Sequence, residues 1–291
     1  MTDLKYHIIT PVRNEAQHIS HTISAVGAQT IRPTEWIIVN DGSTDRTGEL
    51  INAAAVQHLW IRAIHRKDRG FREAGGGVMQ AFYEGYHALR DSSWEFLVKL
   101  DGDLSFESDY FEQCFARFDE NESLGIAGGI VYNMVDGELV VEGESEPLFH
   151  VRGATKIYRR ACWDAIGALV QAPGWDTLDE LKANQLGWET QTLRDLKLTH
   201  YRATGAADGH WKTWVKNGRA NYITGYHPIF MLCKCVKRLL QKPFGIVSLG
   251  LMVGFFGGYI RRIPQVDDPA LIRYVRVEQL KRLLFRKSIW G

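Results

Sequence analysis

Two carboxylates one residue apart, Asp101 and Asp103, close an apolar run, Phe96-Leu97-Val98. Acidic residues flanking a glycine make good turns. Two carboxylates at a strand end also suit a hard divalent cation, which in turn holds a phosphate. Three further features lie beside apolar runs or at a helix start. Asp41 sits in Asn40-Asp41-Gly42-Ser43-Thr44-Asp45 after a second apolar run. Pro11, Arg13 and Glu15 follow a first one. Asp176, Asp179 and Glu180 crowd three acids into five residues at the expected start of a helix. Acids there complement the helix dipole, but three exceed what capping requires, and a general base needs such a carboxylate. His200 closes another apolar-alternating run. It is either a third metal ligand or a structural histidine at a strand end.

These residues need elements to place them. "YHIIT", "EWIIVN", "LWIRAI" and "WEFLVKL" read as strands. Helical patterns follow the first three, through Ile19, Ile23 and Val26, through Leu50 and Ile51, and through Ala81, Tyr86 and Leu89. Thr44 or Asp45 is placed to cap the second helix. Such alternation predicts an α/β fold, a mostly parallel, Rossmann-like sheet flanked by helices. Ligands of such sheets bind beyond the carboxyl ends of the strands, where Asp41, Asp101 and Asp103 fall. After Phe106 the pattern loosens: two strands turn at Asp136-Gly137, Thr177 and Glu180 have capping-box spacing, and a helix carries Trp211, Trp214 and Val215.

In order and spacing, "TPVRNEA", "VNDGSTDRT", "LDGD" and the cluster at Asp176 resemble the family 2 inverting glycosyltransferases of the GT-A fold. The resemblance spans roughly residues 5 to 225. It implies that Pro11, Arg13, Glu15 and Asp41, with Asp101 and Gly102, line the nucleotide-sugar site, completed by the segment before Gly75-Gly76-Gly77. It implies that Asp101 and Asp103 hold Mn²⁺ or Mg²⁺ against the donor diphosphate, with His200 as third ligand. The family's base is the Asp of a Glu-Asp pair. Trp175-Asp176 takes that place, with Gly187-Trp188 at the expected distance. Because Trp replaces Glu, Asp179 and Glu180 stay open as alternatives to Asp176. Gly153 is positioned to approach substrate, and Arg159 or Arg160 to meet phosphate. The expected donor is a nucleotide-diphosphate sugar, a UDP-sugar by the family's habit. The expected acceptor is a glycan or lipid-linked sugar, with no nucleic acid involved. A nucleotidyltransferase is a weaker reading, since no early Gly-x-Gly-x-Arg loop is present. A non-catalytic sugar-nucleotide-binding module remains an alternative. A processive synthase lacks support, because Gln-x-x-Arg-Trp is absent.

Among 291 residues the net charge is +1, yet residues 234–291 carry +9 and the first 233 carry −8. A boundary near residue 235 follows, giving a catalytic domain over 1–235 and a basic, partly apolar helical region over 236–291. Pro243 to Ile260 is uncharged for eighteen residues, with basic residues on both sides. That is short of the roughly twenty apolar residues of a span. Together with the basic amphipathic stretch "VRVEQLKRLLFR" it suggests an interfacial segment on an anionic membrane. The alternative is a buried helix that closes the core. Four cysteines in no disulfide or zinc pattern, and a start that enters a strand without a leader pattern, predict a cytoplasmic protein, peripheral on the inner face of the cell membrane.

Overall fold

The computed structural model describes residues 4–70, 76–135, 137–143, 146–167, 169–170, 174–202, 209–240 and 244–291. Its first half alternates β1 (Tyr6–Val12), α1 (Ile19–Gly27), β2 (Glu35–Asn40), α2 (Thr47–Gln57), β3 (Ile61–His65), α3 (Gly76–His87) and β4 (Phe96–Leu100). Then follow β5 (Leu104–Phe106), α4 (Tyr110–Glu120), β6 (Leu124–Val135), β7 (Glu138–Val141), β8 (Thr155–Arg159), α5 (Arg160–Ile166), α6 (Trp175–Gln185) and β9 (Glu189–His200). Four helices end the chain: α7 (His210–Ile223), α8 (Pro228–Lys237), α9 (Ile246–Ile260) and α10 (Pro269–Leu283).

One nine-stranded sheet runs β3-β2-β1-β4-β8-β6-β9-β5, with β7 paired to β6. The quartet β3-β2-β1-β4 is parallel, as the alternation predicts. Beyond β4 the sheet is mixed: β8 returns antiparallel to β4, and only β6–β9 is again parallel. Helices cover both faces of the quartet, so every residue of β1, β2 and β4 is buried. The period of two divides β1 between two cores. Tyr6 and Ile8 join Trp36, Phe111 and Phe115; Ile9 joins Phe82, Leu97, Tyr158 and Trp163. Pro11 lies past the last β1–β4 pair, Ile9 with Lys99, so its missing N–H leaves no gap there.

Helix starts differ from the expected ones. Residues 15–18 form a turn, and α1 begins at Ile19, whose N–H bonds the Glu15 carbonyl at 2.9 Å. Asp45 accepts from the Thr47 N–H at 3.0 Å just ahead of α2. The Thr177–Glu180 capping box does not form. Gly174, at φ +91°, caps α6 three residues earlier, and Glu180 turns inward instead. Asp136 and Gly75 lie outside the described residues.

The charge shift near residue 235 does not coincide with a break in packing. Residue 235 lies inside α8, and α9 packs on α7 to build a third core with Phe149, Leu178 and Leu181. Glycines every four residues make that helix contact close. A Cβ at Gly250 would stand 2.7 Å from the Trp214 side chain, and one at Gly254 only 2.0 Å from the Val215 carbonyl oxygen. A Cβ at Gly258 would meet the Tyr222 ring at 2.3 Å. The rest of α9 is apolar too, and its outer stripe of Leu249, Val253 and Ile260 is exposed. Among the described residues no helix is long and apolar enough to cross a membrane.

Candidate active site

β4 runs into Asp101-Gly102-Asp103 where β8 begins opposite it, Leu100 facing Thr155. The Asp101 N–H donates to the Ala154 carbonyl at 2.8 Å, and the Asp103 carbonyl accepts from the Tyr201 N–H at 3.0 Å. Gly102 is needed there: a Cβ would press to 2.5 Å from the Val12 side chain. The end of β9 brings His200 alongside, with Nε2 3.2 Å from Asp103 Oδ2. Asp101, Asp103 and His200 each offer a ligand atom, all within 4.8 Å of one another. Among the described residues His200 Nδ1 is buried without a hydrogen-bond partner, Glu142 standing 3.8 Å off. Two carboxylates and an imidazole with an unsatisfied nitrogen fit a divalent cation such as Mn²⁺.

The charges of this cluster are interlocked. Burial raises the Asp101 carboxyl above its usual range, against the pull of Lys99, and the neighbouring Asp103 charge adds to it. At Asp103 burial also acts upward, but the His200 hydrogen bond and charge, with Arg202, outweigh it and hold the carboxyl low. Burial would depress His200, yet Asp103 and Glu142 lift it to about 10. Histidine ligates metal as neutral imidazole, so cation capture would release this proton. Arg202 also pairs with Glu15, tying the loop after β1 to the end of β9.

Asp41 stands at the end of β2 in a ring of arginines. Arg66 meets Oδ1 at 2.5 Å, Arg69 meets Oδ2, and Arg13 Nη1 donates to the Asp41 carbonyl at 2.6 Å. Pro11, Arg13, Glu15, Asp41, Asp101, Gly102, Asp103 and His200 all line one cleft of about 1670 Å³. Asp176 lines it as well.

The three acids of α6 separate. Asp176 faces the cleft beside Gly153, where a Cβ would come within 3.2 Å of its carboxylate. Asp179 and Glu180 are fully buried and do not line the cleft. Lys156 donates to both Asp179 oxygens at 2.8 and 2.9 Å and to Glu180 at 2.7 Å. Tyr158 donates to Asp179 at 2.6 Å, and the Val151 N–H to Glu180 at 2.7 Å. Of the three acids that the sequence leaves open as the base, Asp176 is the one that lines the cleft, while Asp179 and Glu180 are enclosed with Lys156.

Sequence reasoning overlooked two residues here, Lys99 and Lys156. Lys99 bonds Asp101 and the Gly153 carbonyl. Lys156 bonds the Asp176 carbonyl as well as the two acids. The available signal was a lysine inside each of two apolar strands, "FLVKL" and "TKIYR". Arg159 and Arg160 do not reach the cleft. Arg159 caps the carbonyls of Phe118, Asn121 and Leu124, and Arg160 pairs with Asp164 at 2.9 Å.

The family model described as glycosyl transferase family 2 matches residues 7–163, more than half of the chain. The chain belongs to glycosyl transferase family 2. This member is 29% identical over 143 residues to the chondroitin synthase of Pasteurella multocida (strain Pm70), covering 49% of the chain and 14% of that protein. It is 33% identical over 121 residues to the uncharacterized glycosyltransferase EpsJ of Bacillus subtilis (strain 168), covering 42% of the chain and 32% of EpsJ. The chain thus spans less than a third of the length of these relatives by matched segment. Among solved structures, Staphylococcus aureus TarS 1–349 in complex with UDP superposes with a TM-score of 0.55 at 17% identity, over 89% of this chain and 72% of that one. The mannosyltransferase PcManGT of Pyrobaculum calidifontis, in complex with GDP-Man and Mn²⁺, gives 0.56 at 15% identity, over 99% and 77%. These likenesses establish the fold, an α/β GT-A architecture with a curled mixed sheet.

Proposed function

We propose that this family 2 chain is a metal-dependent inverting glycosyltransferase. It would move one sugar from a nucleotide-diphosphate donor, a UDP-sugar, to a hydroxyl of a glycan or lipid-linked acceptor during polysaccharide or glycolipid assembly. The observation that carries this reading is the Asp101–Asp103–His200 cluster opening into the same cleft as the carboxylate of Asp176. Relatives named as chondroitin and poly-beta-1,6-N-acetyl-D-glucosamine synthases support glycan assembly. The UDP and GDP-Man in the neighbouring structures support a nucleotide-sugar donor.

In this reading Asp101, Asp103 and His200 would hold Mn²⁺ or Mg²⁺. The bound cation would offset the charge that develops on the departing diphosphate. Arg13, Glu15 and Asp41 bind the nucleotide in the pocket beyond β1 and β2. Asp176 takes the proton of the acceptor hydroxyl as its oxygen bonds the anomeric carbon and the carbon–diphosphate bond breaks on the opposite face. Lys99 and Lys156 fix Asp101 and the first turn of α6 on either side of Trp175, which closes the floor between them. The chain would work on the cytoplasmic face of a membrane. The apolar outer stripe of α9, with exposed Arg261 and Arg262 just past its C-terminal end, would lie in an anionic interface.

A thermal-shift screen of nucleoside diphosphates, triphosphates and nucleotide sugars, with and without Mn²⁺, tests the reading. UDP or a UDP-sugar should stabilise the protein only with the cation, and Asp103→Asn should abolish the effect. Preference for a triphosphate would point to a nucleotidyltransferase. Donor hydrolysis or transfer undetectable in the presence of a stabilising UDP-sugar and acceptor glycans would leave a binding module.

A further inference from the structure

At its far end the cleft is lined by Lys234, in the last turn of α8, and by Arg238, which caps that helix. At the donor end the cations are paired: Arg13 with Asp68, Arg69 with Asp41, and Arg202 with Glu15. Lys234 and Arg238 differ. Among the described residues neither meets a carboxylate in an ion pair. Each is half-buried and lies over an aromatic face instead. Lys234 Nζ stands 5.3 Å from the Tyr226 ring centre, and the Arg238 guanidinium 5.5 Å from that of Trp214. The acid that acts most on them, Glu146, is already held by Arg152 at 3.2 Å and lies 3.7 Å from His150.

Two like charges set at i and i+4 repel, and partial burial removes the water that would screen them. Burial, with the Arg238 charge adding, pushes the Lys234 amine down to about 8. Burial depresses Arg238 too. A folded chain keeps such a pair at a cost unless a ligand supplies the missing negative charge.

We propose that Lys234 and Arg238 form an anion site that takes the phosphate or diphosphate of a phosphorylated acceptor. This rests on the reading of the cleft as a sugar-transfer site and names the chemistry of its acceptor. The surroundings suit the rest of such a molecule. Trp214 is half-buried in the cleft wall beside the pair, and Leu240 and Phe285 line the exit as exposed apolar side chains. α7 links this site to the base. Trp214 lies beneath Arg238, while Ala220 and Thr224 back Gly174 at the start of α6, next to Asp176. Six residues of helix separate Trp214 from Ala220, a rise of roughly 9 Å. A sugar and its phosphate can bridge that gap, with the sugar hydroxyl towards Asp176.

The test is tryptophan-fluorescence titration of the full chain in EDTA with sodium pyrophosphate and with farnesyl diphosphate. Saturable binding of both is expected, weakened at least tenfold by Lys234→Met or Arg238→Met, kept by Lys234→Arg or Arg238→Lys, and unchanged by Asp103→Asn. Farnesyl diphosphate binding at least tenfold tighter than pyrophosphate would support a lipid-carried phosphate; equal affinities would support a soluble phosphorylated acceptor. No binding by the wild type, or equal binding by the wild type and both Met variants, overturns the proposal. A test without variants is acetic anhydride labelling of the wild type read by mass spectrometry. Pyrophosphate must protect Lys234 severalfold, and absence of protection again overturns the site. UDP titration with Mn²⁺ runs alongside. Its failure with Lys234-dependent pyrophosphate binding intact overturns the donor reading alone.

Discussion

Lys99 on β4 and Lys156 on β8 are directly opposed across an antiparallel ladder, with their amines 5.5 and 5.6 Å from the ring centre of Trp175. Like charges opposite one another destabilise a sheet. Here each amine leaves in a different direction. Lys99 goes to Asp101 and the Gly153 carbonyl, Lys156 to Asp179, Glu180 and the Asp176 carbonyl. The pair thereby joins the acidic end of β4 to the start of α6, the two places where the proposed chemistry occurs.

Removing Lys156 should expose how much that junction carries. Lys156→Met leaves Asp179 buried beside no cation and Glu180 with His150 alone, and breaking such a cluster costs about 3–5 kcal/mol. The triple variant Lys156→Met/Asp179→Asn/Glu180→Gln should recover much of that loss, because no charge is left stranded. Urea unfolding of the two proteins measures both. A single variant as stable as wild type would show that the cluster is hydrated rather than dry.

The His150–Glu180 pair gives stability a pH dependence. Burial acts to depress His150, but the Glu180 carboxylate, 2.8 Å from Nδ1, outweighs it and raises the imidazole above 6.5. A group whose folded pKa is raised stabilises fully below its unfolded value and loses that effect as pH rises through the folded one. Asp179 acts in the same direction over a lower window. Burial raises it to about 6 against an ordinary 3.8, so its share fades as pH rises from 3.8 through 6. The stability difference between wild type and His150→Asn should therefore shrink as pH climbs above 6.5, which denaturant curves at pH 6, 7 and 8 would show. A constant difference would contradict the pairing.

Asp176→Asn should leave Mn²⁺-dependent UDP affinity nearly unchanged and lower turnover by about 10²–10⁴, the range general-base catalysis supplies. Calorimetry and a UDP-release assay separate the two. Full activity in this variant would remove Asp176 from the chemistry.

Two glycines of α9 should respond oppositely to the same change. Gly254→Ala drives a methyl into the Val215 carbonyl, so α7 and α9 must move apart, at a cost of about 1–3 kcal/mol or more. Gly257 has open space where its Cβ would be. Gly257→Ala should raise stability by about 0.5–1 kcal/mol through helix propensity alone. Thermal midpoints of the two variants report the contrast.

The exposed side of the same helix is the proposed membrane face. Leu249→Asn/Val253→Asn should keep the fold, since both residues are more than half exposed. Co-sedimentation with vesicles containing anionic lipid should fall by more than half in 0.15 M salt. Equal sedimentation of variant and wild type, or none by the wild type, would place the apolar stripe against something other than lipid.

The sequence alone determined the local pattern: which runs form strands, that two strands of a mostly parallel sheet run into carboxylates, and that the segments following those strands carry the family's spacing. These are properties of periodicity and of neighbours along the chain. It could not separate Asp176 from Asp179 and Glu180, because all three occupy one turn of α6 and differ only in what surrounds them. The tertiary structure separated them by setting Lys156, from a strand twenty residues earlier, against two of the three. It also decided the fate of the basic tail. A charge count divides the chain at residue 235, but glycines at 250, 254 and 258 let α9 pack backbone to side chain on α7, so the tail shares a core with Phe149 and Leu178. Which cations find a carboxylate, and which, like Lys234 and Arg238, are left facing a cleft, depends on contacts between distant segments that no local spacing encodes.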